Sequence, residues 1–175
     1  MSNFDESFSE VIGLEGGYVD NPNDRGGETK WGIARRNHPY VDIKNLTEEG
    51  AKQIYWTEFW NPLLLARVLD NEVATEIFEQ AVNMGVRNAV WNVQRSLCLL
   101  GEEVEVDGLI GDQTIIAINR LGQRRKQPFL KCLNGFQFLR YLEIVRGDPT
   151  QKLFFVGWLK RVNTDGGKNL PDTRI

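Results

Sequence analysis

A carboxylate followed by two glycines is the feature of this sequence that best suits acid–base chemistry. Glu15 comes directly after an apolar stretch with helical spacing and directly before Gly16 and Gly17. At the C-terminal end of a helix, unpaired carbonyl groups disfavour an ionised carboxylate, and the nearby rings of Tyr18 and Trp31 would shield it from water. Because both effects raise the pKa of a carboxyl group, Glu15 is predicted to donate a proton near neutral pH as a general acid.

A second carboxylate is available in the loop that follows. Asp20 and Asp24 both lie within ten residues of Glu15. Two carboxyl groups on either side of a scissile bond are the arrangement that glycoside hydrolysis requires. Each residue also has a purely structural explanation. Glu15 could be a solvated residue of the last helical turn with glycine caps, and the aspartates suit Asx-turns, with Arg25 as a partner for Asp24.

Length and charge limit the class of protein. The chain has 175 residues, a net charge of −3 and a pI near 5.3, which favours one domain or a compact pair of subdomains and gives no broad basic surface for nucleic acid. The N-terminus lacks the features of a secretory signal, and no run of eighteen apolar residues occurs. We therefore expect synthesis in the cytoplasm without a signal peptide, and no stable membrane insertion.

The metal-binding and thiol residues are few. His38 is the single histidine, and an EF-hand aligned on the Asp-rich loop would place Arg25 where glycine is required, so we expect no metal and no cofactor. Cys98 and Cys132 lack metal-type spacing. We interpret them as core thiols, although a disulfide between them stays possible.

The elements that must position these residues are mostly helical. The spacing of apolar residues predicts a first helix that ends at Gly16–Gly17 with Ser2 or Asn3 as its cap, and a short extended segment around 29–33. Further helices are predicted after Thr47, over 71–84, after Gly85, from an Asp112 cap, from a first turn that contains Pro128, and through 154–158.

Three blocks of the sequence resemble one known family. They are EGGYVDNPNDRGGETKWGI, FEQAVNMGVRNAVWNVQRSL and DGLIGDQT, in that order, within about residues 4–162. The first resembles the signature of glycoside hydrolase family 108, the lysozyme-like muramidases of phages and bacteria, some of them described as secretion activators. The second is similar to the helix pair around that family's Ala-Val-Asn-x-Gly element. The third resembles the turn of its C-terminal peptidoglycan-binding region.

The resemblance implies a mainly α, lysozyme-like fold with a short β/loop segment near the catalytic glutamate. It also implies cleavage of the β-1,4 bond between N-acetylmuramic acid and N-acetylglucosamine, with Glu15 as the acid and Asp24 as the candidate second carboxylate. Thr29 matches a threonine that follows the second carboxylate in phage lysozymes, displaced by one position. Asn83 is a candidate to orient an acetamido group or water, or a helix C-cap before Gly85.

The remaining expectations concern binding and organisation. Tyr18 and Trp31 could stack on sugar rings or pack in the core, whereas the other tryptophans, in helical apolar patterns, are expected to be core or core-edge residues. We expect a catalytic portion over 1–85, a helical peptidoglycan-binding-like portion over 86–163 that shares its core, and a polar tail over 164–175.

The partner implied is the peptidoglycan glycan strand, bound by a monomeric endolysin that reaches the wall or periplasm after release or export. The alternatives left open are a non-catalytic wall-binding or secretion-regulating protein and a chitinase-like hydrolase.

Overall fold

The computed structural model describes residues 2–13, 17–20 and 27–162, which form seven α-helices and one small hairpin. The predicted mainly helical architecture is confirmed. The strands β1 (Thr29–Lys30) and β2 (Ile33–Ala34) pair antiparallel. The helices are α1 (Phe4–Ile12), α2 (Glu48–Tyr55), α3 (Asn71–Met84), α4 (Val86–Leu99), α5 (Asp112–Arg120), α6 (Gly122–Gly147) and α7 (Lys152–Leu159).

Helix α3 lies at the centre of the fold and packs against α1, α4 and α6. The predicted bounds of this helix are confirmed. The side chain of Asp70 accepts the N–H of Val73 (3.2 Å) and so caps its start, while Gly85, at φ 87°, ends it. Ile77 and Phe78 are fully buried in a single hydrophobic cluster to which α1 to α6 all contribute.

Helix α2 supports the hairpin and carries an aromatic cluster. Its predicted cap is confirmed, since the Thr47 hydroxyl accepts the N–H of Gly50 (3.1 Å). A π-helical segment, Trp56–Trp60, continues it. Trp60 is 1% exposed, as a core residue should be, whereas Trp56 is 37% exposed and packs edge-on against Phe4 at the core boundary.

The first helix ends earlier than predicted. Asn3 caps its start, but its last residue is Ile12 rather than a residue beside Gly16–Gly17. Gly13 has φ 77°, a left-handed conformation that glycine adopts without strain, and its N–H closes the final turn on the Ser9 carbonyl (3.1 Å). Glu15 and Gly16 lie outside the described residues, so the predicted effect of the helix end on Glu15 stays a prediction.

Two other helix starts also differ from the predictions. Gly111, not Asp112, is the cap of α5, because the Asp112 carboxylate instead pairs with Arg67 (2.7 Å). Helix α6 begins at Gly122, so Pro128 lies inside it rather than in its first turn. A proline inside a helix loses one backbone hydrogen bond, and the packing of α6 against α3 and α4 offsets that loss.

Both cysteines are free thiols, so the disulfide left open by the sequence is not formed. Cys132 is half-buried, but Cys98 is exposed and the core prediction is wrong for it. The neighbouring Leu97 is fully buried, which places Cys98 on the outer side of α4. Within the described chain, no helix is long and apolar enough to cross a membrane.

Candidate functional site

The hairpin turns tightly through two residues with positive φ. Trp31 (φ 52°) and Gly32 (φ 74°) connect the paired residues Lys30 and Ile33, which is the geometry of a type I′ turn. Such a conformation is ordinary for glycine but strained for tryptophan. It is supported from α2, since the Tyr55 hydroxyl donates to the Trp31 carbonyl (3.1 Å).

A backbone bridge joins the two described ends of the Asp-rich loop. The N–H of Val19 donates to the Thr29 carbonyl (2.9 Å), and the N–H of Thr29 donates to the Val19 carbonyl (2.8 Å). This pairing brings Tyr18 beside Glu28, where the tyrosine hydroxyl donates to Glu28 Oε1 (2.9 Å). The ring of Tyr18 is 38% exposed, so one aromatic surface beside the hairpin remains open to solvent.

Glu28 is an ionised carboxylate at the base of this hairpin. Arg35 donates to Glu28 Oε2 through Nε (3.1 Å) and Nη2 (2.6 Å), and its Nη1 donates to the Val41 carbonyl (2.6 Å). The hydrogen bonds from Arg35, and then that from Tyr18, lower the pKa of Glu28. Because its oxygens are already used, Glu28 is better suited to hold Tyr18 in place than to take up a proton.

The structure brings together three of the six predicted site residues. Tyr18, Thr29 and Trp31 all belong to the hairpin region, and the Thr29 hydroxyl donates to the Gly27 carbonyl (3.3 Å). Trp31 is half-buried against the core, and among the described residues its indole Nε1 has no hydrogen-bond acceptor. The two predicted catalytic residues, Glu15 and Asp24, lie outside the described residues.

Asn83 lies elsewhere, in the last turn of α3. Its Nδ2 donates to the Glu79 carbonyl (2.9 Å) and to Glu79 Oε1 (2.6 Å). The helix is closed instead by the N–H of Gly85, which donates to the Ala81 carbonyl (2.9 Å). Asn83 is therefore held along its own helix and does not cap it before Gly85.

Glu79 is a half-buried carboxylate that sequence reasoning missed. It also accepts from Gln137 Nε2 (2.8 Å) and lies 3.8 Å from Arg161 Nε. Burial and then the charge of Glu76 raise the pKa of Glu79 to about 7, and burial raises that of Glu76 to about 6. Two glutamates three residues apart, on either side of the apolar Ile77–Phe78 pair, were the available signal.

The turn in the third sequence block has a structural role. The Asp107 carboxylate accepts the N–H of Leu109 (2.8 Å), and Gln94 links to both Asp107 and the backbone of Gly108 (each 2.8 Å). A Cβ on Gly108, at φ 75°, would lie 2.7 Å from Trp91 Nε1. These contacts fix the turn against α4.

In the described segments, no group of three or more His, Cys, Asp or Glu side chains is placed to hold a metal ion. The functional groups of the described site are carboxylates, amides and exposed aromatic rings. Such groups bind sugars and transfer protons.

Comparison with known proteins identifies the family. Residues 8–85 match the family model described as glycosyl hydrolase 108, and residues 88–163 match that of a predicted peptidoglycan domain. The solved structure of SagA from Brucella abortus is similar to this chain, with 26% identity and a TM-score of 0.70 over 91% of this chain and 88% of that one. No curated protein matches. The predicted lysozyme-like fold is confirmed. Residues 8–85 form a glycoside hydrolase family 108 region and residues 88–163 a predicted peptidoglycan domain, which identifies the protein as a glycoside hydrolase that acts on peptidoglycan.

Proposed function

We propose that this protein is an N-acetylmuramidase, which cleaves the β-1,4 bond between N-acetylmuramic acid and N-acetylglucosamine with Glu15 as the general acid. The match of residues 8–85 to the hydrolase family, which includes the Glu-Gly-Gly-Tyr motif, carries the proposal. The hairpin that follows this motif supports it, because it holds an exposed aromatic ring and a strained tryptophan on a rigid base.

In the proposed mechanism, Glu15 protonates the leaving-group oxygen while positive charge develops on the sugar ring. Asp24 then either stabilises that charge or activates water on the opposite face. Carboxyl groups about 5–5.5 Å apart would give retention of configuration, and a separation of about 6.5–9.5 Å would give inversion.

The hairpin residues, and separately Asn83 at the end of α3, are proposed to bind the glycan. The Tyr18 ring offers a flat apolar surface to a sugar face, and its hydroxyl is held by the ionised Glu28. Trp31 is held in a left-handed conformation that costs about 1–3 kcal/mol, and such strain is concentrated at functional sites. The Thr29 hydroxyl and the Asn83 amide are proposed as polar contacts to the acetamido group or to water.

The proposal extends to organisation and site of action. We propose a catalytic portion over 1–85 and a wall-binding portion over 86–163, working as a monomer on the wall or in the periplasm as a bacteriolytic enzyme of phage or prophage type. The molar mass from light scattering tests whether the protein is a monomer. The loss of turbidity of a suspension of intact cell walls tests whether it is lytic.

The test of the catalytic assignment is Glu15→Gln. A general acid contributes about 10²–10⁴-fold to the rate, so this variant should release reducing ends from purified peptidoglycan more slowly by that factor while still binding the glycan. Glu49→Gln, on the exposed surface of α2, is the matched control and should match wild type. Near-wild-type turnover by a folded Glu15→Gln variant would reject the assignment.

A further inference from the structure

A cleft of about 290 Å³ lies where the end of α3, the start of α4, α6 and α7 meet. Its lining includes Asn83 from α3, Asn88 from α4, Arg140 and Tyr141 from α6, and Trp158 from α7. Asn83 belongs to the part of the chain that matches the hydrolase family, and the other four belong to the part that matches the peptidoglycan domain. The cleft therefore lies at the junction of the two matched regions.

The two asparagines of the cleft both have a fixed orientation. Asn83 Nδ2 lies 2.9 Å from the Glu79 carbonyl, and Asn88 Nδ2 lies 2.7 Å from the Met84 carbonyl. A carbonyl oxygen can only accept a hydrogen bond, so the amide nitrogens must face the helix. Each asparagine consequently keeps its Oδ1 to accept a hydrogen bond from a ligand.

Asn83 is tied to the core by a chain of hydrogen bonds. Glu79 accepts from Asn83 and, across the interface between α3 and α6, from Gln137. Gln137, which is fully buried, also donates to the Tyr141 hydroxyl (3.1 Å). Side chains held in this way keep their positions before a ligand arrives, which lowers the cost of binding.

The part of the lining that comes from α6 and α7 includes two aromatic rings. The rings of Tyr141 and Trp158 lie 5.3 Å apart and 30° from parallel, and the Phe154 ring stacks on Trp158 at 6.3 Å. Aromatic rings and amide oxygen acceptors in the same cleft suit a pyranose ring that carries hydroxyl and acetamido N–H donors. Small-molecule sites span about 300–1,000 Å³, so a cleft at the lower limit accommodates one sugar ring.

We propose that this cleft binds one N-acetylated sugar residue of the glycan strand, in addition to the residues bound at the hairpin. In this arrangement the Oδ1 atoms of Asn83 and Asn88 accept from the acetamido N–H and a ring hydroxyl, and Trp158 packs on the apolar sugar face. The inference rests on the proposed function for the identity of the strand, but binding at the cleft requires no bond cleavage.

The test is a titration of the full chain followed by NMR of its tryptophan indole N–H signals, with the Trp158 signal assigned from a Trp158→Phe variant. N-acetylglucosamine is the probe, and glucose, which lacks the acetamido group, is the comparison ligand. We expect N-acetylglucosamine to shift the Trp158 signal in a saturable manner and glucose to shift it far less.

The matched variants are Asn88→Ala and Asn45→Ala. Asn88→Ala should weaken the binding of N-acetylglucosamine, followed at Trp158, about fivefold to tenfold, because one hydrogen bond is lost. Asn45→Ala, which changes an exposed residue beside the hairpin, should leave this binding unchanged. An unmoved Trp158 signal, equal shifts by both sugars, or a shift produced only by a peptidoglycan stem peptide would overturn the proposal. Hydrolysis is measured separately, so sugar binding without bond cleavage would reject the muramidase while leaving the cleft assignment in place.

Discussion

The half-buried carboxylate of Glu79 should make the protein less stable as the pH rises. Its pKa in the folded protein is about 7 against an ordinary value of 4.5, with burial as the main cause. Between these two pH values the folded state binds more protons than the unfolded state, so stability is fully present below pH 4.5 and is lost as the pH rises through 7.

The size of the effect follows from that pKa. One pKa unit corresponds to about 1.4 kcal/mol, so a change from 4.5 to about 7 corresponds to about 3 kcal/mol at pH 8. Glu79→Gln keeps an oxygen acceptor for Asn83 and removes the charge. Its amide nitrogen replaces the oxygen that accepts from Gln137, so the Gln137 amide must turn its Oε1 toward it. The substitution also removes the 3.8 Å ion pair with Arg161, so the expected net gain in unfolding free energy at pH 8 is about 1–3 kcal/mol.

Urea unfolding at pH 5 and pH 8 measures this directly. Wild type should lose stability between the two pH values, and Glu79→Gln should lose about 1–3 kcal/mol less. Glu103→Gln, which changes an exposed carboxylate on the loop after α4, is the matched control and should follow wild type. A Glu79→Gln variant that is destabilised at pH 8, or that keeps the wild-type pH dependence, would refute the reasoning.

Two further predictions concern the hairpin and its loop. Asp24→Asn should lower peptidoglycan hydrolysis about 10–100-fold, less than Glu15→Gln, and unchanged turnover would move the second carboxylate role to another residue. Gly32→Ala should destabilise the protein by about 2–4 kcal/mol in thermal unfolding, because alanine is strained at φ 74° and its Cβ would lie 2.6 Å from the Tyr55 hydroxyl. Gly135→Ala in α6, where a Cβ has open space, should instead gain up to about 1 kcal/mol, and equal effects of the two changes would contradict the account.

Local sequence signals were sufficient to predict both bounds of α3 and the start of α2. The bounds of α3 follow from Asp70, Gly85 and the apolar spacing between them, and the start of α2 follows from Thr47. Local signals gave wrong helix starts where a tertiary contact competed with them. Asp112 looks like a helix cap but is paired with Arg67, 45 residues away, and Pro128 is tolerated because α6 packs along its length.

The sequence predicted which residues belong to the candidate site better than it predicted how those residues are arranged. The motif itself pointed to Tyr18, Thr29 and Trp31, and the hairpin does bring them into one region. A tryptophan at positive φ has no sequence signature, because the conformation depends on the hydrogen bond from Tyr55. Glu79 was missed for a similar reason, since its raised pKa comes from burial beneath α6 that only the tertiary structure reveals.

The most direct test of the central claim is the identity of the sugar at each new reducing end. Purified peptidoglycan would be digested with the wild-type protein, reduced with borohydride and analysed by mass spectrometry. A muramidase leaves reduced N-acetylmuramic acid at the new ends, and that is the result we predict. Ends that carry reduced N-acetylglucosamine, or a folded protein that releases no ends, would contradict the proposed bond specificity.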